Sequence, residues 1–114
     1  MSQHNSARIA ALNDAFRNNP TDRRLGKTYM TDGVNALGPD LVARAIAAVV
    51  AFDRFTPDND PHRERDFGSF VLDGHKLFWK IDYYDKTDPD LGSEDPSDPA
   101  TTERVLTIML AEEY

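Results

Sequence analysis

The sequence predicts an α+β fold in which two helices pack on one face of a three- to four-stranded antiparallel sheet. Three observations favour this fold: a long apolar helix pattern in the first half of the chain, two alternating strand patterns joined by Asp73-Gly74, and a β-branched C-terminal segment. The length of 114 residues is close to the common size of one independently folding domain. We therefore expect a single domain over residues 1–114, with a flexible N-terminus at residues 1–5.

Two segments have the apolar spacing of amphipathic helices. The first covers residues 6–17, where Ser6 is the expected N-cap because its hydroxyl can accept a hydrogen bond from an unpaired N–H of the first turn. The second is expected to begin at Gly38-Pro39, since proline is favoured at the first helical position. The apolar faces consist of Ile9, Leu12 and Phe16 in the first helix, and of Leu41, Val42, Ala45, Ile46, Val49, Val50 and Phe52 in the second.

The segment FGSFVLDGHKLFWKIDYYD predicts a β-hairpin with a two-residue turn at Asp73-Gly74. Asp-Gly favours such a turn because both of its central residues need positive φ. This turn pairs Leu72 with His75, and the alternation of side chains then separates an apolar face from a mixed one. The apolar face holds Phe70, Leu72, Leu77, Trp79 and Ile81, and the mixed face holds Ser69, Val71, Lys76, Phe78, Lys80 and Asp82.

Two further segments have strand character. A short β-prone run lies around residues 28–31 and ends at an expected turn at Asp32-Gly33. The C-terminal segment RVLTIMLAEEY has the length and β-branched content of a buried strand. We expect this last strand to pair with the hairpin and so to complete the antiparallel sheet.

The net charge of −7 is concentrated near the C-terminus. Residues 1–84 contain eleven acidic and eleven Lys or Arg residues, whereas residues 85–114 contain nine acidic residues against Lys86 and Arg104. Seven of those acids and three prolines lie in residues 85–103, the acidic loop, whose composition predicts an exposed, mobile segment. Negative charge repels phosphates, so we expect no direct nucleic-acid binding, but a protein partner with a basic surface. The contact surface is expected to be this acidic loop or the loop at residues 56–66, and the carboxylates of the acidic loop expected to contact the partner are Asp88, Asp90, Glu94, Asp95 and Asp98.

The absence of cysteine excludes disulfides, thiolate metal sites and a cysteine nucleophile. No apolar run reaches the length of a membrane span, and the N-terminal segment MSQHNSARIA lacks the hydrophobic region of a signal peptide. We therefore expect a cytoplasmic protein that does not bind a membrane.

The stretch FTPDNDPHRERDFGSF carries an acidic residue or a histidine at every second position from residue 58 to residue 66. In an extended backbone these side chains point to one side, and oxygen ligands with one imidazole suit Mg²⁺, Mn²⁺ or Ca²⁺. However, the stretch lacks the glycine and the distal glutamate of a calcium loop, and its arginines can pair with the same acids. Two interpretations of this stretch stay open, a metal site and a loop with local ion pairs. No cofactor other than a metal ion is expected. The candidate ligands are Asp58, Asp60, His62 and Glu64.

No catalytic motif supports an enzyme. The chain has neither a nucleophile elbow nor a glycine-rich phosphate loop, and His62 and His75 have no evident nucleophile beside them. A metal-assisted enzyme that uses the 58–66 segment is the alternative class. The mixed face has the composition of a base-stacking surface, with Phe78 and Tyr84 beside Lys76 and Lys80. The charge balance argues against nucleic acid, however, and a helix or the C-terminal segment can cover this face.

Three phrases, GPDLVARAIAAVVAFDRFTPDNDPHRERDFGSF, LDGHKLFWKIDYYD and RVLTIMLAEEY, resemble a bacterial family of small proteins with no assigned function. It is number 3768 in the domain-of-unknown-function series. The resemblance covers roughly residues 28–114 and supplies no catalytic residues. Members of this family are frequent on plasmids and other mobile elements beside anti-restriction-type accessory genes. The resemblance therefore implies a non-enzymatic, protein-binding accessory module, one form of which is an inhibitor of a nucleic-acid-binding or defence protein.

Overall fold

The computed structural model describes residues 5–114, which form an α+β fold of three helices and one four-stranded open sheet. The expected flexible segment at residues 1–5 lies outside the described residues except for Asn5. The helices are α1 (Ser6–Asn18), α2 (Asp32–Asn35) and α3 (Pro39–Ala51), and a short 3₁₀ turn covers Ala111–Glu113. The strands are β1 (Lys27–Met30), β2 (Phe67–Leu72), β3 (His75–Asp85) and β4 (Thr102–Leu110).

The sheet is mixed, so the prediction of an antiparallel sheet is wrong for its first strand. The strand order is β1-β4-β3-β2. The β2–β3 and β3–β4 pairs are antiparallel, but β1 runs parallel to β4, with Lys27 opposite Val105 and Met30 opposite Ile108. A parallel pair needs a long crossover connection, and here α2, α3, β2 and β3 all lie between β1 and β4.

The register between β2 and β3 follows the alternation of the sequence. Leu72 pairs with His75 and Phe70 pairs with Leu77, as expected, and Asp73 and Gly74 between the strands have φ values of 51° and 82°. β3 then pairs with β4, with Trp79 opposite Ile108. The inner face of the sheet is consequently apolar and buried, and its fully buried members include Leu77, Trp79, Leu106 and Ile108.

The helices cover this inner face and form the core with it. Phe16 from α1, Val34 from α2 and Val49 from α3 are buried in the same cluster as Trp79. The short helix α2 replaces the turn expected at Asp32-Gly33, because the Thr31 hydroxyl accepts a hydrogen bond from Val34 N at 3.4 Å and caps it. The predicted N-cap of the first helix is wrong by one position, since Asn5, not Ser6, accepts from the N–H of the first turn.

Trp79 is the largest buried side chain, and its position depends on a glycine in the neighbouring strand. Gly68 pairs with Trp79 across β2 and β3, and a Cβ at residue 68 would lie 2.4 Å from Trp79 Nε1. The rings of Phe52 and Phe55 pack edge-on against the indole, with centroids 5.5 Å and 6.1 Å away. The end of α3 and the segment after it are thereby fixed against the sheet.

The outer face of the sheet is partly covered by the C-terminus. Phe78 is half-buried, and its ring centroid lies 5.2 Å from that of Phe67 and 5.3 Å from that of Tyr114. Val71 and Tyr29 stay exposed. Within residues 5–114, no helix has both the length and the apolar character needed to span a membrane.

Candidate functional site

A buried polar network joins α1, β3, β4 and the loop between α3 and β2. Asn13 Nδ2 donates to the backbone oxygen of Glu64 at 3.0 Å and to the hydroxyl of Tyr83 at 2.8 Å. That hydroxyl donates to Glu64 Oε1 at 2.8 Å, and Arg104 Nε donates to Asn13 Oδ1 at 2.8 Å. Polar groups away from water are costly unless they are paired, so these four residues, the Asn13 network, fix the geometry of everything attached to them.

Burial sets the electrostatics of the Asn13 network. Desolvation raises the pKa of Tyr83 above its usual range, with the charges of Asp66 and Glu64 acting in the same direction, so the phenol stays a neutral donor. Desolvation also lowers the pKa of the Arg104 guanidinium, which lies 5.3 Å above the Tyr83 ring. In the loop between α3 and β2, burial and the nearby charge of Glu64 raise the pKa of Asp66.

The acidic loop is attached to this network at its middle. Arg104 also donates to the backbone oxygen of Pro96. Arg8 of α1 donates from Nε to the oxygen of Ser97 at 2.8 Å. Ser93 N, also in the middle of the loop, donates to Tyr83 O at 3.0 Å, and at the two ends of the loop Lys86 N donates to the oxygen of Thr101 at 3.0 Å. The acidic loop is therefore held by both α1 and β4.

Within the acidic loop, aspartate side chains close a series of local turns. Asp85 Oδ1 accepts from Thr87 N at 2.8 Å, and Asp95 Oδ1 accepts from the hydroxyl and backbone N–H of Ser97 at 2.5 Å and 3.1 Å. Bonds of this kind stabilise the ionised carboxylate. The Thr87 hydroxyl accordingly lowers the pKa of Asp85, and the Ser97 hydroxyl lowers the pKa of Asp95. Asx turns are a regular property of aspartate in loops.

The five carboxylates predicted to contact a partner share this one segment. Asp88, Asp90, Glu94 and Asp95 are exposed, and Asp98 is half-buried. Asp88 and Asp98 each accept a backbone N–H, as Asp95 does. The side chains of Asp90 and Glu94 have no hydrogen bond or ion pair with any residue that the structure describes. These two carboxylates can thus be changed without removing a turn.

Of the four predicted metal ligands, two are buried with separate partners and two are exposed. Asp60 is buried and its Oδ1 accepts from Arg65 N at 3.1 Å, whereas Glu64 is buried in the Asn13 network. Asp58 and His62 are exposed. Over residues 5–114, no three His, Asp or Glu side chains form a group able to hold a metal ion. Metal binding by this loop stays a prediction.

Within the described residues, the arginines of this loop do not form ion pairs with its acids, so the alternative prediction of a loop with local ion pairs is wrong. Arg65 Nη1 instead contacts Asp14 Oδ2 of α1 at 3.0 Å. Asp14 Oδ1 meanwhile contacts Arg17 at 2.9 Å, so this one carboxylate bridges two guanidinium groups. Neither Arg54 nor Arg63 makes an ion pair with another described residue. The ion pair that this loop makes is therefore with α1.

The outer face of the sheet does not present free rings to solvent at Phe78. Its ring is enclosed by two other aromatic rings, and Lys76 Nζ lies 5.5 Å from its centroid. Lys80 forms an ion pair with Asp82 at 3.0 Å. The base-stacking surface considered from the sequence is thus engaged in contacts of its own.

The central residues of the network were not found by sequence reasoning. Asn13 follows Ile9 by four positions and so lies on the apolar face of α1, where a polar side chain needs a buried partner. A polar residue on an apolar helix face was therefore the sequence signal that indicated a buried polar contact at Asn13. Arg104 carries a comparable signal, because strand alternation places it on the same face as Leu106 and Ile108, and Tyr83 likewise continues the face of Trp79 and Ile81.

Fold and site together define a small α+β protein in which two exposed loops are anchored on one buried polar network. The family model described as Protein of unknown function (DUF3768) matches residues 30–113. The chain belongs to this family. No curated protein and no solved structure matches the chain. The matched residues contain both loops but not α1, which supplies Asn13.

Proposed function

We propose that this chain is a non-enzymatic, cytoplasmic protein-binding module whose acidic loop contacts a basic surface of its partner. The observation that supports the proposal is the position of the predicted carboxylates: Asp88, Asp90, Glu94 and Asp95 are exposed on a segment that Arg8 and Arg104 hold in place. Negative charge without a cationic partner, on an anchored segment, is typical of a surface that binds a positively charged protein.

The local turns of the acidic loop favour this role. Binding by an unstructured segment loses free energy because the segment must be ordered when the complex forms. Here the turns closed by Asp85 and Asp95, together with the bond from Arg104 to Pro96, order the segment beforehand. The ordering cost on binding is correspondingly smaller.

The partner class that fits best is a protein with a nucleic-acid-binding groove. Such a groove is lined by Lys and Arg and is selected to bind a row of negative charges. The carboxylates of the acidic loop can occupy the same positions, and the chain then acts as an inhibitor of that protein. The mobile-element setting implied by the family resemblance supports an accessory role of this kind, including one against a defence protein.

The proposal is tested by affinity capture from host lysate with a charge-reduced variant. The variant Asp90→Asn/Glu94→Gln removes two charges that have no partner in the described structure, so its fold is expected to be unchanged. We expect the intact protein to retain one stoichiometric basic protein at low salt and to lose it as salt rises. The variant should retain several-fold less, because exposed charges act mainly through the association rate.

The matched control is Asp53→Asn/Asp58→Asn, which removes two exposed carboxylates outside the acidic loop. It should retain the partner as well as the intact protein does. Duplex DNA added to the lysate should compete with the chain for the captured protein. Equal loss of the partner in both variants, or capture that does not respond to salt, would contradict the role of the acidic loop.

A further inference from the structure

A cleft of about 500 Å³ opens in the loop between α3 and β2. This volume lies within the roughly 300 to 1,000 Å³ that is usual for small-molecule sites. Its apolar lining residues are Phe55, Pro57 and Pro61. Its charged lining residues are Asp60 and two arginines, Arg63 and Arg65.

The backbone of the cleft is fixed by Asp60. Asp60 N donates to Thr56 O at 2.8 Å, Arg63 N donates to Asp60 O at 3.1 Å, and Arg65 N donates to Asp60 Oδ1 at 3.1 Å. Asn59 adds a further bond, from its side-chain amide to the oxygen of Arg54 at 2.9 Å. The carboxylate of Asp60 is thereby engaged in holding the loop, with the residue only 7% exposed.

Both arginines of the cleft have left-handed backbone conformations. Their φ values are 58° for Arg63 and 55° for Arg65, a region that residues other than glycine adopt rarely and at a cost. The hydrogen bonds to Asp60 maintain this conformation at both positions. As a result, both residues line the same cleft.

The guanidinium groups of the cleft are neutralised only in part, by the ion pair of Arg65 with Asp14. Arg63 is exposed and has no ion pair with any residue from 5 to 114. Arg65 uses Nη1 for Asp14, but its side chain is 48% exposed and its other donors have no partner among the described residues. The same guanidinium lies 5.2 Å from the centroid of the Phe55 ring, which is an apolar lining residue of the cleft.

We propose that this cleft binds a small organic oxyanion, with a phosphate or carboxylate group held by Arg63 and Arg65 and a flat apolar body packed against Phe55, Pro57 and Pro61. Guanidinium groups match such oxyanions geometrically through paired N–H donors. The ligand has the opposite charge to the metal ion that the sequence of this loop suggested. The site is distinct from the acidic loop and does not depend on the function proposed for that loop.

The test is a titration of the full-length ¹⁵N-labelled protein with phenyl phosphate, benzoate and inorganic phosphate, followed by two-dimensional NMR. We expect saturable shifts of the backbone amides of the non-proline residues between 56 and 66 with the two aromatic anions, and weaker binding of inorganic phosphate. Arg63→Gln should raise the dissociation constant for phenyl phosphate at least about tenfold, since hydrogen bonds to charged groups are the strong ones. Arg63→Lys keeps the charge but not the paired donors, so its dissociation constant for phenyl phosphate should lie between those of the intact protein and Arg63→Gln.

The matched control is Arg54→Gln, since Arg54 is an exposed arginine of the same segment that does not line the cleft. Its dissociation constant for phenyl phosphate should equal that of the intact protein. Equal weakening by Arg54→Gln and Arg63→Gln would show general charge screening and overturn the site. Shifts of these amides by Mg²⁺ or Ca²⁺ and not by the anions would also overturn it, in favour of a cation site.

Discussion

Arg17 illustrates how a buried charge can serve the architecture of this fold. Its Nη1 donates to the backbone oxygens of Val49 at 2.9 Å and of Phe52, the residue after α3, at 2.8 Å, and so adds donors at the end of the helix, where backbone carbonyls lack the full set of helical bonds. The guanidinium lies 5.3 Å from the centroid of Phe55 and 5.1 Å from that of Trp79. A cation at the C-terminus of a helix is also favoured by the helix dipole. Arg17 therefore joins α1 to the end of α3.

At Tyr83, removal of one oxygen tests the Asn13 network. Tyr83→Phe deletes the donor to Glu64 and the acceptor for Asn13 Nδ2. Because Asn13 is buried and Glu64 is a carboxylate, we expect a loss of about 2 kcal/mol in the free energy of unfolding. Urea denaturation at pH 7 measures it. Tyr84→Phe is the control, since the Tyr84 hydroxyl has no hydrogen bond among the described residues, and an equal loss there would contradict the role of the network.

The same variant has a characteristic pH dependence. Burial raises the pKa of Tyr83 above the usual value of 10.0, so as pH rises the unfolded chain loses this proton before the folded chain does. The contribution of Tyr83 is fully present below pH 10 and declines above it. The stability difference between the intact protein and Tyr83→Phe should therefore shrink as pH is raised through this range. A constant difference would argue against a buried neutral phenol.

The sequence contained part of this site and not the rest. The exposed carboxylates of the acidic loop could be predicted because exposure follows from local composition. The partners of Glu64 and Asp60 could not, because they come from α1, from β3 and from the backbone of Arg65. The alternation of residues 58–66 places their acidic side chains on one side only if the backbone is extended. This loop is not extended, because two of its residues, Arg63 and Arg65, have left-handed backbone conformations.

At the scale of elements, the sequence predicts pairing between neighbouring strands but not between strands that are distant in the chain. β2 and β3 are neighbours in sequence, so alternation and a two-residue turn were enough to predict their register. β1 pairs with β4 across most of the chain. A four-residue strand has too little pattern to indicate its partner or direction, and only the packing of the intervening helices determines them.

Glu113 connects the C-terminal turn to the start of α2. Its Oε1 accepts from the Thr31 hydroxyl at 2.6 Å and from Leu110 N at 2.8 Å, and its Oε2 accepts from Gly33 N at 3.1 Å. The Thr31 hydroxyl, followed by Leu110 N, lowers the pKa of this carboxyl. The stabilisation is therefore present above the usual pKa of 4.5 and is lost as pH falls through the lower folded value.

We accordingly expect Glu113→Gln to lower the thermal midpoint at pH 7. The difference from the intact protein should disappear in acid, below the pKa that the carboxyl has in the folded chain. Differential scanning calorimetry across this pH range measures both effects. Glu112→Gln, which changes the neighbouring exposed acid, should leave the midpoint unchanged, and an equal effect of the two substitutions would exclude a specific role for Glu113.

At the scale of the whole molecule, the Asn13 network supports both the acidic loop and the loop that forms the cleft. The acidic loop is attached through Arg104 and Pro96, and the cleft loop is attached through Asn13 and Glu64. Because Asn13 is bonded both to Arg104 and to Glu64, a change at one loop reaches the other through a single side chain. Groups that share a hydrogen-bonded network commonly show non-additive mutational effects.

The fold as a whole should also depend on α1, although the family match begins after it, at residue 30. A fragment of residues 27–114 keeps every strand, α2 and α3 but loses Phe16 from the core and leaves Arg104 and Glu64 without Asn13. Since small domains have little stability in reserve, we expect this fragment to be unfolded, with the fluorescence of the single tryptophan shifted to the red. A peptide of residues 1–26 added in excess should restore the native spectrum by mass action, and the same peptide carrying Asn13→Ala and Arg17→Ala should not. Cooperative urea unfolding of the fragment alone, at the midpoint of the full chain, would show that α1 is dispensable.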